Sequence, residues 1–234
     1  DVNPFKKLKL RCGFLDLDSL TMEKSAEEYF TYTLPVCVEQ GEIDDIVSGR
    51  YDITGNTVYK LFRGHFDDDN WNYIIDVFGT WLSPHSFKLI VFLIGEPDAG
   101  KSTLLRILTK PIAPLVAWKS LTTMTNYVFG LEDLLGKKIV VYAERGSVAL
   151  RNIDRINALV GESDIVEVPR KFKPPAYMSS LTSMVFSMND PPIIQEYGGE
   201  TFRAFIKRLS IVSMFKPEGE PIIKNLADTV PPLE

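Results

Sequence analysis

The feature that most constrains this chain is a run of eight residues, Gly95-Glu96-Pro97-Asp98-Ala99-Gly100-Lys101-Ser102, placed directly after the apolar stretch Leu89 to Ile94. Glycines at these two positions let the backbone curl so that successive N–H groups point inward at phosphate oxygens. A lysine at the seventh place reaches the β- and γ-phosphates, and a hydroxyl at the eighth coordinates Mg²⁺. The pattern also occurs by chance, as a glycine turn beside a surface lysine. The context argues against that here. A buried strand precedes it, and an amphipathic helix carrying Leu104, Leu105 and Leu108 follows it, as a phosphate loop requires. The expected ligands are ATP and Mg²⁺, held by Gly95, Glu96, Pro97, Asp98, Ala99, Gly100, Lys101, Ser102 and Thr103, with Ser102 on the metal.

A strand–loop–helix unit of this kind implies more of its type, and the sequence supplies them. Strands are predicted at 87–94, 138–143, 183–187 and 209–214, and helices at 101–108 and 152–160. Alternation of this kind predicts an α/β fold, an AAA+-like P-loop ATPase with a mostly parallel sheet covered on both faces. Residues 1–86 read differently. Phe14-Leu15-Asp16-Leu17-Asp18 alternates as a short half-buried strand does. Trp71, Ile74, Ile75, Phe78 and Leu82 recur at helical spacing behind the acidic start Asp67-Asp68-Asp69. The expected organisation is a small, mainly helical N-terminal region (1–86) and an ATPase domain (87–234), with a weak boundary at Ser83-Pro84.

Three further segments carry candidate chemistry. Ile139 to Ala143 is apolar and ends on Glu144, which a parallel sheet would deliver to the edge where phosphates sit. There a carboxylate can join the Mg²⁺ shell or polarise water, although a strand-terminal glutamate can also simply face solvent. The next residue is Arg145, so no second acid stands ready to share the work. The strand from Ser183 ends on Asn189, suited to a γ-phosphate or a water, and equally suited to starting the turn Asn189-Asp190-Pro191-Pro192. Arg170, Lys171, Phe172 and Lys173 form a basic-aromatic tip that could grip a nucleic-acid backbone and stack on a base. Taken alone, such a cluster more often belongs to a solvated surface. Arg203, Lys207 and Arg208 precede the last strand.

Composition excludes several classes. Net charge is -5 over 234 residues, which leaves a local basic patch as the only route to nucleic acid. No apolar run approaches the length of a bilayer span, and no signal peptide is apparent, so no membrane partner is expected. Cys12 and Cys37 match no zinc pattern and read as two free thiols in a reducing, cytoplasmic compartment. His65 and His85 have no ligand-spaced neighbours, which argues against an imidazole metal site. The chain begins at Asp1 rather than Met, and reads as a fragment of something longer.

In sequence order, the phosphate loop, the strand to Glu144, the segment Leu159–Lys173, the strand to Asn189-Asp190-Pro191-Pro192 and Arg208-Leu209 resemble the superfamily 3 helicases, in particular the poxvirus-type primase–helicase branch of viruses, phages and plasmids. The resemblance covers most of the chain, and 12–35 resembles the helical region that precedes the ATPase in that branch. It implies Gly95–Ser102 as motif A and Glu144 as the acid of motif B. It further implies 159–173 as a hairpin segment holding single-stranded DNA in a ring channel, and Asn189 as the sensor of motif C. Arg208 would complete a neighbouring subunit's site. It implies Mg-ATP, a homo-oligomer of six subunits, translocation on single-stranded DNA, a primase domain in the same full-length chain, and action in the cytoplasm or at a viral replication site in a host cell. The sequence departs from the family at Arg145, where a second acid is common, and at the loose turn Val160-Gly161-Glu162-Ser163-Asp164. Among alternatives, an ATPase that loads or remodels DNA without unwinding shares every motif. A small-molecule kinase would need an arginine-rich lid that 110–138 lacks. A guanine-reading Asn-Lys-x-Asp and a transporter Ser-Gly-Gly are both missing.

Overall fold

The computed structural model describes residues 6–25, 29–83, 85–146, 148–161, 165–181, 183–195, 198–219 and 226. The chain opens on a three-stranded antiparallel meander, β1 (Lys7–Leu10), β2 (Gly13–Asp16) and β3 (Thr21–Glu23). Helices α1 (Gln40–Val47), α2 (Thr57–Phe62) and α3 (Asp68–Thr80) follow. The alternating unit is then β4 (Leu89–Ile94), α4 (Lys101–Thr109), β5 (Val116–Trp118), α5 (Leu121–Asn126) and β6 (Ile139–Ala143). After it come β7 (Ala149–Leu150), α6 (Ile153–Leu159), the hairpin β8 (Ile165–Arg170) and β9 (Lys173–Ser179), then β10 (Ser183–Met188), β11 (Ile193–Ile194), α7 (Gly199–Arg208) and β12 (Leu209–Ser213).

The central sheet has the order β12-β4-β10-β6-β5, and every pairing in it is parallel. Side chains alternate across a strand, so a sheet covered on both faces needs apolar residues at every position. Strand β4 shows this directly. Val91 and Leu93 join one buried cluster, while Ile90 and Phe92 join the other. The first face packs on α3 and α4 through Trp71, Ile74, Leu104 and Leu105, the second on α5, α6, α7 and the hairpin base through Met124, Ile156, Phe205 and Val168. Helix α3 starts where its chemistry says it should. Asp67 accepts from the Asn70 amide at 2.8 Å and satisfies an otherwise orphaned N–H, and Trp71, Ile74 and Val77 then form the buried stripe.

Two expectations need correction. The first concerns residues 12–35, helical by the resemblance: their described part holds β2 and β3 and no helix, while the N-terminal region as a whole is mainly helical through α1, α2 and α3. That region shares its core with the central sheet. Leu8, Leu10, Leu34 and Phe62 share one buried cluster with Val91, Leu104, Val141 and Val212 from beyond residue 86. The second concerns the cysteines, which form a disulfide, Cys12–Cys37. The cause is a strand-like pairing: Leu10 bridges Leu34 in parallel, and the Arg11 amide donates to the Val36 carbonyl at 3.0 Å. That register brings Cys12 beside Cys37, and the case for a reducing compartment, which rested on free thiols, loses its basis. No helix among the described residues is long and apolar enough to cross a membrane.

Candidate nucleotide and nucleic-acid sites

Parallel register assembles the first site. Leu93 pairs with Ser187, and Ser187 pairs with Ala143. The residues that follow these strands, Gly95, Asn189 and Glu144, therefore emerge side by side at the carboxyl edge, with β10 between the phosphate-loop strand and the Glu144 strand. Asn189 and Glu144, together with Asp98 to Thr103, Ser187 and Met188, line a cleft of about 180 Å³.

The loop's shape explains its glycines. A Cβ at Gly95 would stand 1.9 Å from the Met214 carbonyl oxygen, because the chain leaving β12 crosses here, with the Met214 amide donating to Ile94 at 2.8 Å. Gly100 caps α4 at φ 85°, a conformation that favours glycine. Lys101, only 7% exposed, folds back into the loop. Its ammonium donates to the carbonyls of Gly95 (2.7 Å) and Glu96 (2.6 Å) and to Asn189 Oδ1 (3.1 Å). Burial pulls its pKa below the usual lysine value, and the Asp98 carboxylate pushes the other way. A cation so placed, partly stripped of water, is stabilised by an incoming anion.

Glu144 is half-buried. Burial raises its pKa, and a hydrogen bond from the Leu121 amide, 2.6 Å from Oε1, lowers it in part. Its own amide donates to Ser187 at 2.8 Å. The cleft thus combines a loop of amides, one ammonium, the hydroxyl of Ser102, two carboxylates (Asp98 and Glu144) and one amide side chain. That set suits a polyphosphate with a divalent cation, Ser102 and Glu144 being the residues able to hold the metal. Among the described residues no group of three or more His, Cys, Asp or Glu gathers as a dedicated metal site.

The structure brings together Gly95 to Thr103, Glu144 and Asn189, and keeps the remaining expected residues elsewhere. Arg208 ends α7 at the opposite edge of the sheet. Leu209 pairs with Ile90 and Ser213 with Ile94, so Arg208 lies about 20 Å, some six residues of strand rise, from the level of the loop. Arg170, Lys171, Phe172 and Lys173 form the tip of the β8–β9 hairpin. Phe172 occupies the turn at φ 58° and is 94% exposed, with the Lys171 ammonium 5.1 Å from its ring centre. Arg170 donates to the Pro174 carbonyl at 2.8 Å. Residues 162–164 of the loose turn lie outside the described residues.

Two participants were missed from sequence. Leu121 contributes a backbone amide, which leaves no trace in residue types. His65 anchors the crossing chain through mutual hydrogen bonds with Phe215, and its spacing from the loop gave no hint of that.

Fold and cleft together define an α/β P-loop protein with a five-stranded parallel sheet. Residues 93–203 match a family described only as a family of unknown function (DUF5906). Among curated proteins none matches the chain significantly. Of solved structures, the A form apo structure of the NrS-1 C-terminal region superposes with a TM-score of 0.55 at 15% identity, over 73% of this chain and 40% of that one. A second apo structure of the same region gives 0.51 at 17% identity, over 67% and 38%. A JCV helicase bound to a thiazolopyridine acetamide gives 0.45 at 14% identity, over 69% and 45%. The chain spans about two fifths of the NrS-1 region that it matches, and the likeness lies in the fold.

Proposed function

We propose that this chain is an ATP-hydrolysing module of the superfamily 3 helicase type, which couples Mg-ATP turnover to movement on single-stranded DNA within a six-membered ring of copies. The observation that carries the reading is the convergence on the mouth of one phosphate loop of Lys101, the first residue of α4, with Asn189 and Glu144, which follow two neighbouring strands. In this reading Lys101 exchanges its carbonyl partners for β- and γ-phosphate oxygens. Ser102 and Glu144 hold the metal, and Asn189 senses the γ-phosphate. Mg²⁺ when bound neutralises charge on the phosphates. Glu144, with its raised pKa, is also suited to polarising a water.

The basic hairpin tip supports the second half. It stands clear of the body, and its cations and exposed ring suit a phosphate backbone and a base. Arg208, remote from its own cleft, is free to serve a neighbour's, as an arginine finger does. The test is ATP hydrolysis by the oligomeric protein with and without single-stranded DNA, for wild type, Lys101→Ala and the double variant Lys171→Ala/Lys173→Ala. Hydrolysis that DNA accelerates, lost in the first variant and unresponsive to DNA in the second, is expected. Turnover indifferent to DNA in the wild type would overturn the DNA-motor reading. A strand-separation assay distinguishes unwinding from loading or remodelling.

A further inference from the structure

Glu144 does not hold its own position. One of its oxygens is bound by the Leu121 amide at 2.6 Å, and Leu121 is the first residue of α5. That helix is a single short element whose far end is fastened from outside. The Arg155 guanidinium spans two successive carbonyls there, Nη1 to Tyr127 at 2.8 Å and Nη2 to Val128 at 3.0 Å. Asn152 adds a third bond, Nδ2 to the Thr125 carbonyl at 3.1 Å. Both residues stand at the start of α6, whose other end joins the hairpin. Leu159 accepts from the Leu181 amide just beyond β9 at 2.6 Å. The segment continues past Val128 into a 3₁₀ turn, Glu132–Leu134, that packs on β8, and Leu131 and Leu134 share a buried cluster with Val166 and Val168.

Residues 121–134 therefore touch the carboxylate at one end and the hairpin base at the other, with Arg155 across the middle. We propose that Arg155 is a positioning residue for Glu144: its guanidinium fixes the segment whose first N–H holds the carboxylate, and that segment passes load on the hairpin to Glu144. A planar fork donating to two carbonyls fixes a loop's orientation as well as its distance, which a point charge does less well. The proposal rests on the reading of Glu144 as the acid of an ATPase site and of the hairpin tip as the DNA grip.

The test uses the full chain in its oligomeric form, as wild type, Arg155→Ala, Arg155→Lys, Asn152→Gly and Lys101→Ala. Two quantities are read: hydrogen exchange at the Leu121 amide, which needs no activity, and KM and kcat for ATP with and without saturating single-stranded DNA. Arg155→Ala is expected to speed Leu121 exchange by about ten-fold. It should cut the DNA stimulation of kcat by about five-fold and leave KM within about two-fold. Arg155→Lys restores part of both. Asn152→Gly, whose backbone at φ 52° glycine adopts freely, shifts both in the same direction by less. Unchanged Leu121 exchange in Arg155→Ala overturns the positioning role. Faster exchange with undiminished DNA stimulation overturns the transmission. Should Arg155→Ala not fold, Asn152→Gly decides, and no change in either quantity sinks the proposal. A wild type that does not hydrolyse ATP, or hydrolysis that survives Lys101→Ala, defeats the ATPase reading instead, and the exchange measurement still decides whether Arg155 holds the segment.

Discussion

The phosphate cleft and the hairpin tip are built on opposite terms. In the cleft the central groups already have partners within the chain: Lys101 has three acceptors, the Glu144 carboxylate accepts from Leu121, and a carbonyl from residue 214 closes over Gly95. At the tip Phe172 stands in solvent, and only the hairpin base, through Val166, Val168 and Met178, joins the core. Substitutions in the cleft should therefore disturb structure and chemistry together, whereas those at the tip should change contacts with a partner and nothing else.

The largest expected effect is that of Lys101→Ala. It removes the cleft's one ammonium, and ATP turnover should fall by at least about 10²-fold, the scale of losing one charge-stabilising donor, with binding to single-stranded DNA retained. Loss of both would mean that the two regions are not separable. Gly95→Ala comes next. A methyl group cannot stand 1.9 Å from a carbonyl oxygen, so the crossing chain at Met214 must move. The expected cost is about 1–3 kcal/mol in chemical denaturation, along with weakened nucleotide binding.

A third prediction concerns the body that supports both regions. Lys138 is almost fully buried, and burial lowers its pKa to about 7. The unfolded chain binds this proton up to the ordinary lysine range, so between those values it holds more proton than the folded chain does. Stability should then rise as pH increases from about 7 toward 10, and be lowest below 7. In Lys138→Met that rise should flatten, and the variant should be more stable than wild type at neutral pH. A rise as steep in the variant as in wild type would rule out Lys138 as its source.

How legible these features were depended on how local their causes are. The phosphate loop, β4, β6, β10, α3 and the basic turn are each set by neighbouring residues, and each is found within a residue or two of its expected place. Strand β5 has only three residues, Val116–Trp118, too few for any period to register. Strand β9 begins Lys173-Pro174-Pro175, which reads as a loop because proline cannot donate to a ladder. The disulfide depends on the pairing of Leu10 with Leu34, a register that neither segment announces. Within the cleft the side chains were legible, while the Leu121 amide and the Met214 carbonyl, both backbone groups, were not.

At the tip itself, Lys171→Ala/Lys173→Ala should leave the melting temperature unchanged and reduce the salt dependence of single-strand binding. Each phosphate contact contributes about 0.7 to the slope of log affinity against log salt, so removing two should lower it by about 1.4. A slope that does not move would detach these lysines from any nucleic acid.

The smallest expected effect is also the sharpest test of the contrast. Phe172 holds φ 58°, where a side chain is unfavourable and glycine is not. Phe172→Gly relieves that strain and adds the entropy cost of a more flexible unfolded chain, about 0.5–1 kcal/mol. The two terms oppose each other and are of similar size. The ring covers no buried surface, so no hydrophobic term enters. The net change in unfolding free energy should be within about 0.5 kcal/mol of zero, as for a surface substitution away from any packed feature. A loss well beyond that would mean that the ring packs on the body, and the tip would then belong to the packed half of the molecule rather than to its solvent-exposed half.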